Sequence, residues 1–228
     1  HKVAQVLTPA HTQGMGKMQA VFSRSMRRAS SFAKQYNIPS AYSQLDDMLA
    51  DSAVQAVYIA NPHPFHLETV LKAAEAKKHI LCEKPLGMNR AQTEQMVKAA
   101  RKHKVFLTEA FTYRTSAQTQ KLRSLLLEGY IGRPLHMDCS LVTHLENPPL
   151  RLTEKNLGGG AILDLGCYTI SMARMIGGLS SGGMYAEPEI LAATSFFQKN
   201  GADEFSTAFL RFETGMTAAL ACGFRAQQ

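Results

Sequence analysis

His79-Ile80-Leu81-Cys82-Glu83-Lys84-Pro85 reads as a short apolar strand closed by a polar, proline-stopped segment. An apolar run of that length bounded by a turn signal suits a buried strand, and Pro85, lacking an N–H, cannot extend the ladder. The same rhythm continues in both directions. Towards the N-terminus, residues 18–24 predict a strand feeding a helix over 26–36, where Ala29, Phe32, Ala33 and Tyr36 recur at helical spacing. A helix over 43–50, a strand over 53–60 and a helix over 65–76 lead up to it. Towards the C-terminus come a helix over 91–103 and a strand over 105–109. Strands alternating with helices of about ten residues predict βαβ units and a parallel sheet, an α/β domain.

After Arg114 the rhythm changes. A helix over 117–128 ends at Gly129, and an alternating run follows over 135–144. Three further strand-like runs, 187–198, 203–212 and 216–224, are separated by Lys199-Asn200-Gly201 and Glu213-Thr214-Gly215. These are hairpin turn sequences, so this half is a mostly antiparallel sheet with helices, an α+β domain. The boundary falls near 114–117, dividing the chain into residues 1–115 and 116–228.

Composition narrows the function classes. With 45% hydrophobic and 19% charged residues the chain is of ordinary globular type, and no apolar run approaches the roughly 18 residues of a membrane span. The net charge is +7, but Lys and Arg are scattered along helices without interleaved aromatics, which speaks against nucleic acid. Cys82, Cys139, Cys167 and Cys222 form no C-x-x-C pair. With no secretion signal at the start, they predict reduced thiols in a cytoplasmic protein. His63 and His66 are the one close histidine pair and lack a third ligand at recognisable spacing, so no metal centre is expected.

Two places carry chemistry. Lys84 leaves the carboxyl end of a parallel strand, where open α/β sheets bind ligands, and Pro85 fixes the backbone behind it. An ammonium there can hydrogen-bond a substrate hydroxyl and lower the pKa of a neighbouring acid. Farther on, Gly158-Gly159-Gly160 opens a helix on which Asp164 and Tyr168 stand four residues apart, facing the same way. A carboxylate and a phenol on an otherwise apolar helix need polar partners, which a polyhydroxylated substrate would supply.

Ala60-Asn61-Pro62 with His66, Glu83-Lys84-Pro85, and the Gly-Gly-Gly-x-x-x-Asp-x-Gly-x-Tyr run over 158–168 together resemble the Gfo/Idh/MocA oxidoreductase family. Many members carry histidine where this chain has Tyr168. Tyrosine there is similar to the branch containing glucose-fructose oxidoreductase, dimeric dihydrodiol dehydrogenase and D-xylose dehydrogenase, and Glu109 to Arg114 also resembles the last two. The resemblance implies hydride transfer between a nicotinamide cofactor and a sugar, polyol or trans-diol, with Tyr168 as proton acceptor or donor and Lys84 tuning it. It implies that Asp164 orients substrate hydroxyls. Ala60, Asn61, Pro62, His66 and Glu83 match positions around the nicotinamide and its ribose, and Arg114 a position beside the cofactor. It further implies a Rossmann-type dinucleotide domain followed by a substrate and oligomerisation domain, and a homodimer or higher homo-oligomer. A non-catalytic binding relative, or an inactive fragment, is the alternative.

A free tyrosine titrates near roughly 10, so as a base at neutral pH it needs an adjacent cation, and Lys84 is the expected one. The cofactor expected is NADP, with NAD possible: the end of the second Rossmann strand reads Ser23-Arg24-Ser25, followed by Arg27 and Arg28, where an acidic residue would hold an NAD ribose. The glycine-rich phosphate turn of the family is not found. Gly14-Met15-Gly16 is no substitute, since residue 19 is Gln and a strand follows it. His1 to Leu7 resembles the latter half of the helix after that turn, and the last strand stops at Gln228, so the chain reads as lacking both ends of the family fold. In the strand order 3-2-1-4-5-6 that would remove the middle of the sheet and expose the edges of both neighbours. Arg151, in the loop 145–151, is placed either at the pocket to meet an acidic substrate or on the surface.

Overall fold

The computed structural model describes residues 16–225. The expectations for His1 to Leu7, for Gly14 and Met15, and for the last three residues lie outside them. The described residues form two compact units, one of residues 16–59, 67–82 and 94–108, the other of residues 60–66, 83–93 and 109–225.

In the first unit, β1 (Ala20–Phe22) and β2 (Ser40–Tyr42) pair in parallel, Ala20 opposite Ser40. The helix between them, α1 (Met26–Tyr36), starts where the Ser25 hydroxyl accepts from the Arg28 N–H at 3.4 Å. It stops at Asn37, which takes the left-handed conformation at φ 53°. After α2 (Leu45–Ala50), β3 (Ala56–Ile59), β4 (His79–Cys82) and β5 (Leu107–Glu109) form a second sheet in that order, with β3 and β4 parallel. Helices α3 (His66–Glu75) and α4 (Arg90–His103) are the crossovers. They bury Val70, Ala73, Ala74, Met96 and Ala100.

The parallel strands therefore stand as β2-β1 and β3-β4-β5, and among the described residues no strand joins β1 to β3. One expectation changes. His79–Cys82 is not buried on both faces: Ile80 and Cys82 are buried with Val57 and Ile59, while Leu81 is 39% exposed. The alternation follows from the period of two along a strand whose second face carries no described cover.

The second unit carries α5 (Ala117–Leu127) and the sheet of β6 (His136–Val142), β7 (Glu189–Phe197), β8 (Asp203–Arg211) and β9 (Thr217–Gly223), in the order β6-β9-β8-β7. The two hairpins are antiparallel as expected, but β6 pairs with β9 in parallel, so the sheet is mixed. Between β6 and β7 lie the short α6 (Leu150–Thr153), a π-helical turn (Ile162–Gly166) and α7 (Cys167–Leu179). Ala173 of α7 packs with Leu210, Phe212, Met216, Ala218 and Leu220 of the hairpins, and each large side chain contributes about 2 kcal/mol by leaving water. Leu152, Ala161, Cys222 and Phe224 make a second cluster beneath the glycine run.

Candidate active site

The segment that carries Lys84 is pinned from two sides within the second unit. His66 is fully buried, with Nδ1 3.0 Å from the Pro85 carbonyl and Nε2 2.9 Å from that of Asn61. The Glu109 carboxylate accepts from the Leu86 N–H at 2.8 Å, although burial raises its pKa against the pull of that bond and of Arg114. His66 thus ties the 60–66 loop to the lysine segment. Both of its ring nitrogens are thereby engaged by backbone carbonyls.

The facing side chains come from the π-helical turn. The Asp203 carboxylate accepts from the Ile162 N–H at 2.8 Å and from the Ser206 hydroxyl at 3.1 Å, capping the start of the helix. Gly160, at φ 129°, passes so close to this carboxylate that a Cβ would overlap Oδ1. A Cβ on Gly159 would lie 2.8 Å from the Leu152 and Glu154 carbonyls. These glycines allow the close backbone approach that delivers Asp164.

Lys84 Nζ lies 3.0 Å from Asp164 Oδ1, donates also to the Asp164 carbonyl, and stands 4.8 Å from the centre of the Tyr168 ring. Lysine, carboxylate and phenol are thus brought together. Two observations bear on their roles. Asp164 Oδ1 accepts from Arg151 Nη1 at 2.9 Å as well as from Lys84, so this oxygen answers two cations of the protein before any substrate hydroxyl. Lys84 covers the face of the Tyr168 ring and does not make the phenol acidic. Burial pushes the phenol up to about 12, and Cys167, Glu83, Asp164 and Glu109 add to the rise. Burial would also raise the Asp164 carboxyl, but Lys84 and Arg151 together outweigh it and hold it below the usual range.

A cavity of about 330 Å³ opens at this cluster. Of the expected residues, Ala60, Asn61, Pro62, Glu83, Lys84 and Asp164 line it. So do His63, Leu157 and Arg151, which puts Arg151 at the pocket. His63 Nδ1 donates to the Gly158 carbonyl at 3.2 Å, and burial lowers its pKa, so its ring is neutral at pH 7. Tyr168 is half-buried behind the lining, edge-on to Phe111 at 5.2 Å. Arg114 is stacked between Phe111 and Tyr185, with its guanidinium 4.3 and 5.1 Å from the two rings. It donates to the Ser171 hydroxyl at 2.7 Å, holding the helix that bears Tyr168.

Ser23, Arg24 and Arg28 belong to the first unit. Arg24 and Arg28 are exposed at the end of β1 and in the first turn of α1, and Ser23 is half-buried between them and the strand. Among the described residues no group of three His, Cys, Asp or Glu could hold a metal ion, and no helix is long and apolar enough to cross a membrane. All four cysteines are free thiols; burial pushes Cys167 to about 12 and Cys222 to about 11.

Asp203, the bond of Glu109 to the Leu86 N–H and the pairing of Arg151 with Asp164 escaped the sequence reading. A carboxylate at a strand start after Asn200-Gly201 carries no local signal that it caps a helix forty residues earlier.

Comparison with known proteins gives the family and the fold. The model of the Gfo/Idh/MocA oxidoreductase family, NAD-binding Rossmann fold, matches residues 2–111, and that of the Gfo/Idh/MocA C-terminal domain matches residues 119–228. Trans-1,2-dihydrobenzene-1,2-diol dehydrogenase of Xenopus tropicalis is 35% identical over 88% of this chain and 59% of its own length. The Homo sapiens protein of that name is 31% identical over 91% of this chain and 60% of its own. The chain thus spans about three fifths of the length of these curated relatives. A 3-ketoreductase from Actinomadura kijaniata, solved with TDP-benzene and NADP, superposes with a TM-score of 0.85 at 26% identity, covering 98% of this chain and 66% of that one.

Proposed function

Because the chain belongs to the Gfo/Idh/MocA oxidoreductase family, we propose that it moves a hydride between a nicotinamide cofactor and a hydroxyl or carbonyl carbon of a sugar, polyol or trans-diol. One observation carries the reading: the Lys84 ammonium, 3.0 Å from Asp164 and 4.8 Å from the Tyr168 ring, at the wall of a cavity that such a substrate would fill.

The residues suit the cofactor. Exposed Arg24 and Arg28 beside a Ser25-capped helix start are the donor set for a 2'-phosphate, so NADP is preferred over NAD. Asn61, Glu83 and Lys84 on the cavity wall offer amide, carboxylate and ammonium to a ribose and carboxamide. When bound, the nicotinamide would supply or accept the hydride. Tyr168, kept a protonated phenol by burial, suits proton donation to a carbonyl oxygen in reduction; the reverse, oxidation, has to start from its phenolate, which burial disfavours. Lys84 holds Asp164 and polarises the oxygen that is protonated, and His66 and Glu109 keep its segment fixed. We place the dinucleotide domain over residues 1–115 and the substrate and oligomerisation domain over 116–228, in a cytoplasmic protein. The open face of the four-stranded sheet, a shallow trough lined by Ser140, Thr194, Thr207 and Phe209, is the surface assigned to self-association.

The test is NADPH oxidation by the purified chain with a panel of aldoses and diketones, alongside NADPH binding by fluorescence. Turnover is expected, with Lys84→Ala and Tyr168→Phe each lowering kcat by about a hundredfold or more while NADPH still binds. Binding without turnover of any substrate would instead favour a non-catalytic relative.

A further inference from the structure

Arg151 is a second cation on the same oxygen that Lys84 holds. Its Nη1 is 2.9 Å from Asp164 Oδ1, and Lys84 Nζ is 3.0 Å from that atom. Nothing in the reaction just described uses it. Its backbone is fixed all the same: neighbouring Leu152 is 2% exposed, and the Leu152 carbonyl accepts from the Gly160 N–H at 3.0 Å, on the turn that leads to Asp164. The side chains differ in access, Arg151 being 54% exposed and Lys84 and Asp164 only 13% and 12%.

We propose that Arg151 is a positioning residue, holding the Asp164 carboxylate ionised so that Lys84 can turn its ammonium to the reacting oxygen beside Tyr168. The role of Lys84 in it rests on the oxidoreductase reading. A carboxylate as enclosed as Asp164 is costly to leave uncompensated, so a lysine that was its one counter-ion would be locked in place. With Arg151 on the same oxygen, the lysine is released at little cost. The other groups around Asp164 do not substitute for it. His63, across the cavity, is held neutral by burial, Cys167 and Tyr168 on the helix are thiol and phenol with pKa values of about 12, and Glu83 beside Lys84 is of like charge. At working pH the ionisation of Asp164 is left to Lys84 and Arg151.

The experiment removes each cation in turn and follows the Asp164 carboxyl by carbon-13 NMR of aspartate-labelled protein without cofactor, folding being checked by circular dichroism. In Lys84→Ala the midpoint should stay in the acidic range, since Arg151 remains. In the double variant Lys84→Ala/Arg151→Met it should rise by a further pH unit or more, a tenfold change in the proton equilibrium. Arg151→Lys in the same background should restore most of the shift. If Lys84→Ala alone raises the midpoint as far as the double variant, the proposal fails. In turnover, Arg151→Met should lower kcat about tenfold with the KM for NADPH unchanged, and an unchanged kcat would equally overturn it. Should the unaltered chain turn over nothing, the oxidoreductase reading falls while the titration still decides whether Arg151 holds the charge of Asp164.

Discussion

Tyr168 shows how one residue's environment sets its chemistry. Its phenol, desolvated against Phe111 and Tyr113 and surrounded by acidic neighbours, is pushed up to about 12 from the ordinary 10. Lys84 is close enough to act as a cation, but its hydrogen bonds go to Asp164 and only the ring face is left to it. The proton is bound more tightly in the folded than in the unfolded chain. The stabilisation from this phenol is therefore complete below pH 10 and lost as pH rises through about 12. Ultraviolet titration of the chain against Tyr168→Phe should show no tyrosinate from this residue below pH 10, and the reduction rate should have no basic limb there. Ionisation below pH 9 would mean that Lys84 lowers the phenol after all. Which neighbours a phenol has is decided by packing, so the motif could mark Tyr168 as chemical without giving its charge state.

At the scale of elements, the glycine run and the strand that answers it form one device. Gly160 at φ 129° lets the chain pass against Asp203, whose carboxylate caps the helix that presents Asp164 and Tyr168. Asp203→Ala should cost about 1 kcal/mol, the ordinary value of a helix cap. Gly160→Ala should cost more, since it meets both a φ that side chains avoid and the Asp203 oxygen. Urea unfolding of the two variants checks the order, and a Gly160→Ala protein as stable as the parent would contradict this account. Most elements were legible in the sequence: the 79–82 strand and the 26–36 helix fall where periodicity and caps put them. Their ends were less so. The strand read over 18–24 keeps only Ala20–Phe22, because a strand lasts only as far as its partner, and here β2 offers Ser40–Tyr42.

For the molecule as a whole, the second unit leaves one sheet face open to water. Phe196 is 66% exposed and Phe209 39%, on the face that also carries Thr194 and Thr207. Such apolar surface is seldom left bare, so the chain should sediment as a dimer or larger at micromolar concentration. The pair Phe196→Asp and Phe209→Asp should shift it to monomer; a monomeric parent would end the assignment. The sequence by itself determined the class of the fold, the positions of its strands and helices, and the lysine, aspartate and tyrosine of the site, because these rest on local periodicity, turn chemistry and short motifs. Tertiary structure alone decided that β6 runs parallel to β9, that His66 meets the Pro85 carbonyl, that Arg114 stacks on Phe111, and that Arg151 shares Asp164 with Lys84. Those outcomes depend on desolvation and on contacts between residues far apart in the chain, which no local pattern of residue types records.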